Sequence, residues 1–403
     1  MHFRVLRDFN PWWEHKDWEN YDKDLILWKN QPIRWIPEWI KDISLKPFSL
    51  NFVIGPRQAG KTTGLKLLIK KLIDSGYNPR KIVYLSCEIF PDFIQLRDSL
   101  LYFLENRQNL LIILDEATSL ENWWKAVKVL IDSGKALNSV IVVTGSSSLK
   151  VKRDIELFPG RMGEGKIIEV LPLSFPEYLK VFGISDYKLQ QDRVLDLFEQ
   201  YLTTGGFPLT INKNPSTEIL KAFIGDFIRF NKSLEIAKEV FASLISKIPS
   251  PLSFRTIAKD TSGYSYKTVQ EYLEFFKNLY ILEYAYLKQG KKVYYRKEKK
   301  IFFRDPLLLQ LFSEWSRTKY LEAALLENIV QEHLYRKYSE IYYYKNSYEI
   351  DCIAGNLKVE VKAGKPHRKY PKGTIVLEYE EIPFFLIKLY QNKQYSEVNY
   401  HKI

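Results

Sequence analysis

The sequence predicts an α/β fold on a mostly parallel sheet, followed by a helical and then a small α+β region. Three observations predict it. Short β-branched runs alternate with helix-period segments between residues 49 and 210, a glycine-rich loop stands between the first run and a helix, and a later apolar run ends in two acids. Such alternation is the mark of βαβ units, because parallel strands need helical crossovers.

The runs are Leu50–Ile54, Ile82–Leu85, Leu110–Leu114, Val140–Thr144 and Ile167–Val170. After the first comes Gly55-Pro56-Arg57-Gln58-Ala59-Gly60-Lys61-Thr62, which satisfies GxxxxGK[ST]. Strand Asn51–Ile54 leads in, and a helix with apolar Leu65, Leu68, Ile69 and Leu72 leads out. Gly55 and Gly60 let the backbone curl so that its N–H groups converge on phosphate oxygens, and the helix N-terminus adds its positive end. Residues Gly55 to Thr63 thus form an expected ATP site, with Lys61 reaching the β- and γ-phosphates and the Thr62 hydroxyl holding Mg²⁺.

The run Leu110–Leu114 ends in Asp115-Glu116, placed to anchor the Mg²⁺ shell and to polarise an attacking water, respectively. The next run ends in Thr144-Gly145-Ser146-Ser147, where Thr144 and Ser146 are candidate sensors of the γ-phosphate. One strand falls between the loop and Asp115, and another precedes the polar tip. That order predicts a P-loop NTPase of the additional-strand type with a helical lid.

The remaining chain has its own texture. Residues 1–48 are tryptophan-rich without a clear period and read as a segment wrapping over the ATPase core of 49–210. Residues 211–234 read as helical lid or linker. In 235–312 the order is helix (Glu235–Ile248), short helix (Phe254–Asp260), a longer helix opened by Ser265, and a hairpin turning at Gln289-Gly290. This is the layout of a winged helix-turn-helix, whose Tyr266, Lys267 and Gln270 could enter a major groove. Its wing carries Lys288, Lys291, Lys292, Arg296, Lys297, Lys299 and Lys300, suited to phosphate contact, or to solvation alone. Residues 313–403 bring Glu327 on a helix, Asp351 at a strand end and Glu360-Val361-Lys362 on the next strand. Two carboxylates with a third on a packed helix could cage a second Mg²⁺ or Mn²⁺, and Lys362 could position water.

Together Gly55–Thr63, Leu114–Glu116, Thr144–Ser147, Phe158-Pro159-Gly160-Arg161, Leu171–Phe175 with Glu177-Tyr178-Leu179, and Gly205-Gly206-Phe207-Pro208 resemble an AAA+-like ATPase family of archaea and bacteria. Asn10-Pro11-Trp12-Trp13 is similar to the amino-terminal motif of its archaeal members. The resemblance implies a C-terminal winged helix and a nuclease-like domain of the PD-(D/E)xK kind, and it makes Arg161 a candidate arginine finger, in cis or on a neighbouring subunit of a homo-oligomer.

Composition is consistent with these expectations. The chain has 403 residues, 46% hydrophobic, with a formal net charge of +12, enough for two or three domains and suggestive of a polyanionic partner. Its apolar runs fall short of a membrane span, Met1 to Glu14 lacks a signal-like apolar core, and two distant cysteines, Cys87 and Cys352, suit a reducing cytoplasm. The expected function is ATP hydrolysis coupled to DNA. The alternatives are a slow nucleotide-driven switch acting through protein contacts, and an ATP-licensed metal-dependent nuclease.

Overall fold

In the computed structural model, residues 3–145, 156–346, 348–362 and 370–391 are described. The chain divides into two compact units between Leu171 and Pro172. Residues 172–210, expected within the ATPase core, therefore group with the second unit. Ser146 lies outside the described residues.

The first unit opens with helices α1 (Phe3–Asp8) and α2 (Lys23–Lys29). It continues through β1 (Ser49–Ile54), α3 (Lys61–Asp74), β2 (Ile82–Ser86), α4 (Phe93–Asn106), β3 (Leu111–Asp115), α5 (Trp123–Asp132), β4 (Val140–Gly145) and β5 (Ile167–Glu169). Each strand falls within about one residue of its apolar run, and β1, β3 and β4 are buried along their whole length, as parallel strands covered on both faces are. All pairings are parallel, in the order β2-β3-β4-β1-β5. Strand β4 therefore intervenes between the loop-bearing strand and β3, as the sequence predicts. Side chains alternate between two cores: Leu50, Phe52 and Ile54 pack with Trp123 and Phe158 on one face, and Val53 packs with Leu65, Leu68 and Ile69 on the other.

The tryptophan-rich segment closes the edge of this sheet. Buried Asn10 donates through Nδ2 to Tyr84 O (2.8 Å) and to Leu6 O (2.7 Å), and its Oδ1 accepts from Tyr84 N–H (2.7 Å). The indole N–H groups of Trp12 and Trp13 donate to Ile82 O at 3.2 and 2.7 Å. Edge strand β2 thus has outward backbone groups capped by side chains instead of another strand. Further along, Asp22 caps α2 and forms a buried ion pair with Lys66 of α3 (2.9 Å), whose ammonium lies 3.6 Å from the Tyr84 ring centroid.

The second unit begins with helices α6 (Phe175–Val181), α7 (Gln191–Thr204), α8 (Pro208–Ile211), α9 (Thr217–Arg229), α10 (Leu234–Ile245), α11 (Phe254–Ala258) and α12 (Tyr266–Asn278). Hairpin β6 (Leu282–Gln289) and β7 (Lys292–Phe303) leads to α13 (Pro306–Trp315) and α14 (Glu322–Tyr338). Strands β8 (Tyr342–Lys345), β9 (Glu349–Ala354), β10 (Leu357–Val361) and β11 (Thr374–Leu377) and helix α15 (Ile382–Gln391) follow. Ser233, Ser253 and Ser265 cap α10, α11 and α12 by accepting from backbone N–H groups.

The hairpin expected as a free wing is part of a larger sheet. Among the described residues the strand order is β11-β10-β9-β8-β6-β7, with β6 parallel to β8 through Tyr286–Tyr342 and Leu287–Tyr343. The boundary expected at 312/313 therefore cuts across one sheet. Its exposed half, Lys292–Glu298, gives way to a buried half, Lys299–Phe303.

The motif Gly205-Gly206-Phe207-Pro208 is a packing joint in this unit. Gly205 has φ +61°, and a Cβ there would lie 2.1 Å from Asp305 Oδ1. The Gly206 N–H donates to Asp305 Oδ2 (2.9 Å). Ser174, Phe175 and Glu177 belong to the same framework: Ser174 and Glu177 form a capping box, and the Phe175 N–H donates to His333 Nε2 (2.9 Å).

Candidate functional site

The site assembles at the carboxyl edge of the first sheet because β1, β3 and β4 are parallel and end together. Registers Ile54–Gly145 and Leu114–Val143 place the loop after β1 beside Thr144 and Asp115. Gly55 admits no side chain: a Cβ would lie 1.9 Å from Val170 O. Gly60 caps α3 with φ +86°, and Gln58 within the loop also has positive φ, +63°. Buried Lys61 donates through Nζ to Gly55 O (2.9 Å) and Pro56 O (2.8 Å), so its ammonium lies along the inside of the loop. Pro56, Arg57 and Ala59 complete the loop, and Thr62 and Thr63 open α3 half-buried.

Asp115 is the hub. Its Oδ2 accepts from Thr62 Oγ1 (2.8 Å) and from Tyr84 OH (2.5 Å), and its Oδ1 accepts from Thr144 Oγ1 (2.5 Å). The Thr144 hydroxyl in turn accepts from the Glu116 N–H (2.8 Å). Thr62, Asp115, Glu116 and Thr144 are therefore one connected group. Glu116 sits at a left-handed bend, φ 49°, which costs a residue with a Cβ about 1–2 kcal/mol. Burial pushes its carboxyl above the usual range, opposed by the positive charge of Lys61. Its Oε2 is buried and has no hydrogen-bond partner among the described residues.

Sequence reasoning missed Tyr84. A tyrosine inside the apolar strand Ile82–Leu85 reads as core, and only the fold brings its hydroxyl to Asp115. Arg161 is not gathered into this group: its Nε donates to Asp132 Oδ1 of α5 (2.7 Å) and its Nη1 to Pro159 O (3.4 Å).

In the second unit Tyr266, Lys267 and Gln270 are exposed on the first turns of α12, as expected, and Lys291, Lys292 and Arg296 are exposed at the hairpin tip. Lys292 and Lys297 both lie over the ring of Tyr294, at 5.0 and 4.5 Å. Lys299 and Lys300, expected among the phosphate-facing wing lysines, are instead buried: Lys299 lies over the ring of Phe254 (4.2 Å), and Lys300 reaches Glu327 of α14.

Glu327, Asp351, Glu360 and Lys362 do come together. The Asp351 N–H donates to Glu360 Oε2 (3.2 Å), the Val361 N–H to Asp351 Oδ2 (2.9 Å), and Lys362 Nζ to Glu360 Oε1 (2.6 Å). Yet Lys300 Nζ stands between Glu327 Oε1 (2.8 Å) and Asp351 Oδ1 (2.7 Å), and Gln331 Nε2 donates to Glu327 Oε1 (2.7 Å). The donor set does not suit a metal: a cation and N–H groups already face the oxygens a divalent ion would need. Among the described residues no group of His, Cys, Asp or Glu is placed to hold a metal ion.

A phosphate-type loop after β1, the acid-bearing strand β3 one place removed and the threonine-tipped β4 between them form the arrangement of a P-loop NTPase core of the additional-strand type. Residues 48–179 match the family described as AAA domain, and residues 195–319 match a domain of unknown function, DUF8612. The chain is 27% identical over 267 residues to an uncharacterized protein of Methanocaldococcus jannaschii, covering 60% of this chain and 57% of that protein. It is 29% identical over 363 residues to an uncharacterized protein of Haemophilus influenzae, covering 83% of each. Among solved structures, the ORC2 protein of Aeropyrum pernix in ADPNP-ADP complexes has a TM-score of 0.41 at 13% identity, covering 70% of this chain and 96% of that one. A point variant of RuvB from Thermotoga maritima has a TM-score of 0.30 at 15% identity, covering 62% and 84%. Among the described residues no helix is long and apolar enough to cross a membrane.

Proposed function

We propose that this protein binds and hydrolyses ATP on Gly55–Thr63 and engages DNA through α10–α12 and the tip of hairpin β6–β7. The observation that carries the first part is the buried, unpartnered Oε2 of Glu116 beside the Thr62–Asp115–Thr144 group. Phosphate oxygens would replace the carbonyls of Gly55 and Pro56 as partners of Lys61 Nζ. Thr62 and Asp115 fit Mg²⁺, a hard cation that takes oxygen ligands and neutralises phosphate charge. Glu116 Oε2 accepts the proton of the attacking water, and Thr144 fixes the bend that aims it. Arg161 would first have to leave Asp132 before serving any nucleotide, its own or a second copy's.

The basis for DNA is the exposed row Lys291, Lys292, Arg296 and Lys297 with Tyr294 and Tyr295, together with Tyr266, Lys267 and Gln270 on a capped helix. Phosphate contacts of this kind weaken steeply with salt. The test is ATP turnover with and without duplex and branched DNA, beside Lys61→Ala. Salt-sensitive gel shifts and DNA-stimulated turnover, both turnover values abolished in Lys61→Ala, are expected. Turnover indifferent to DNA would favour a nucleotide-driven switch working through protein contacts, and no calorimetric affinity for Mg-nucleotide would sink both readings.

A further inference from the structure

The nuclease-like carboxylates of the second unit contain a basic side chain that sequence reasoning placed elsewhere. Lys300 comes from the buried half of β7, with its side chain 3% exposed. Its Nζ lies 2.8 Å from Glu327 Oε1, 2.7 Å from Asp351 Oδ1 and 3.2 Å from Glu349 Oε1. A lysine ammonium donates and never accepts, and this one donates to Glu327 and Asp351 while its charge also faces Glu349. Other oxygens of the group are engaged as well: Asp351 Oδ2 by the Val361 N–H, and Glu360 by the Asp351 N–H and Lys362. A divalent ion at this place would have to displace an ammonium from the centre of its own counter-charges. Removing that ammonium alone would leave buried carboxylates unpaired, which is strongly unfavourable until another cation arrives.

We propose that Lys300 is the resident cation of Glu327, Glu349 and Asp351, holding by two hydrogen bonds and a third ion pair the place a divalent ion would need, so that this nuclease-like frame takes no metal while Lys300 is there. The inference is independent of nucleotide chemistry in the first unit. It explains why four residues in a nuclease-like pattern coexist with a buried lysine from a hairpin outside that pattern.

The experiment is Mn²⁺ titration of the full chain without nucleotide, followed by electron paramagnetic resonance, with plasmid nicking assayed alongside. Wild type and Asp351→Asn should bind the same amount of Mn²⁺, and neither should nick DNA. Lys300→Gln should gain one bound Mn²⁺ per chain, and adding Asp351→Asn or Glu360→Gln to it should remove that ion. Mn²⁺ bound by wild type and lost in Asp351→Asn would overturn the proposal, as would a folded Lys300→Gln that gains none. If Lys300→Gln does not fold, the comparison of wild type with Asp351→Asn decides alone.

Discussion

Replacing Asn10 by alanine should unclamp the edge of the first sheet. The side chain bonds both outward groups of Tyr84, at 2.8 and 2.7 Å, and the site is fully buried. Alanine leaves that N–H and C=O without their partner, at about 1–3 kcal/mol each when buried. Allowing water to reach one of them, we expect a loss of about 3 kcal/mol from the first unit. Trp12→Phe, which keeps an aromatic ring but loses the N–H-bearing half of the indole and its 3.2 Å bond to Ile82 O, should cost less, about 2 kcal/mol. Tryptophan emission during urea unfolding is the assay, since of nine tryptophans only Trp315 lies beyond Leu171. The effect should reach the nucleotide site as well: a loosened Tyr84 no longer steadies Asp115, so more Mg²⁺ should be needed for half-maximal turnover. An Asn10→Ala protein within about 0.5 kcal/mol of wild type would refute the clamp, because that is the range of surface changes that touch nothing.

Three further outcomes follow from the same geometry. Glu116→Gln should keep Mg-nucleotide affinity by calorimetry while turnover falls by about 10²-fold or more, as loss of a general base does; turnover near wild type would remove Glu116 from that role. Tyr84→Phe, losing the 2.5 Å bond to Asp115, should raise the Mg²⁺ requirement without changing the fold, read as KM for Mg²⁺ against kcat. Burial lifts the Asp305 carboxyl to about 7, against the pull of the Gly206 and Leu307 N–H groups. The folded state then binds more protons than the unfolded one between about pH 4 and pH 7, so this contribution is full below that window and lost as pH rises through it. Circular-dichroism urea melts should show wild type losing about 3 kcal/mol relative to Asp305→Asn between about pH 5 and pH 8. His333, held down to about 3 by burial, acts oppositely in acid, losing stability as pH falls below about 6.5, and is common to both proteins.

The first unit was legible because its signals are local. Five apolar runs gave five strands, and the loop, Asp115, Glu116 and Thr144 lie at strand ends where chain direction alone brings them together. What was hidden depends on non-local pairing. Asn10, Trp12 and Trp13 bond backbone across about seventy residues, which leaves no period to read. Lysine next to lysine suggested an exposed wing through Lys300, but helices α13 and α14 pack against β7, whose last five residues are buried. Strand β11 and helices α13 and α15 were not anticipated either. Pro306 opens α13 with Asp305 as its cap.

Strand β7 has twelve residues, about 40 Å end to end at its rise per residue. It is not one stiff spar, because its ladder with β6 breaks between Tyr294 and Lys299, where four residues stand out of register. The tip, with its lysines and tyrosines, and the buried stretch that carries Lys300 are therefore two separate grips on β6. A load on the outer end meets that slack before it reaches the interior charges, so the surface can yield while the carboxylates keep their cation.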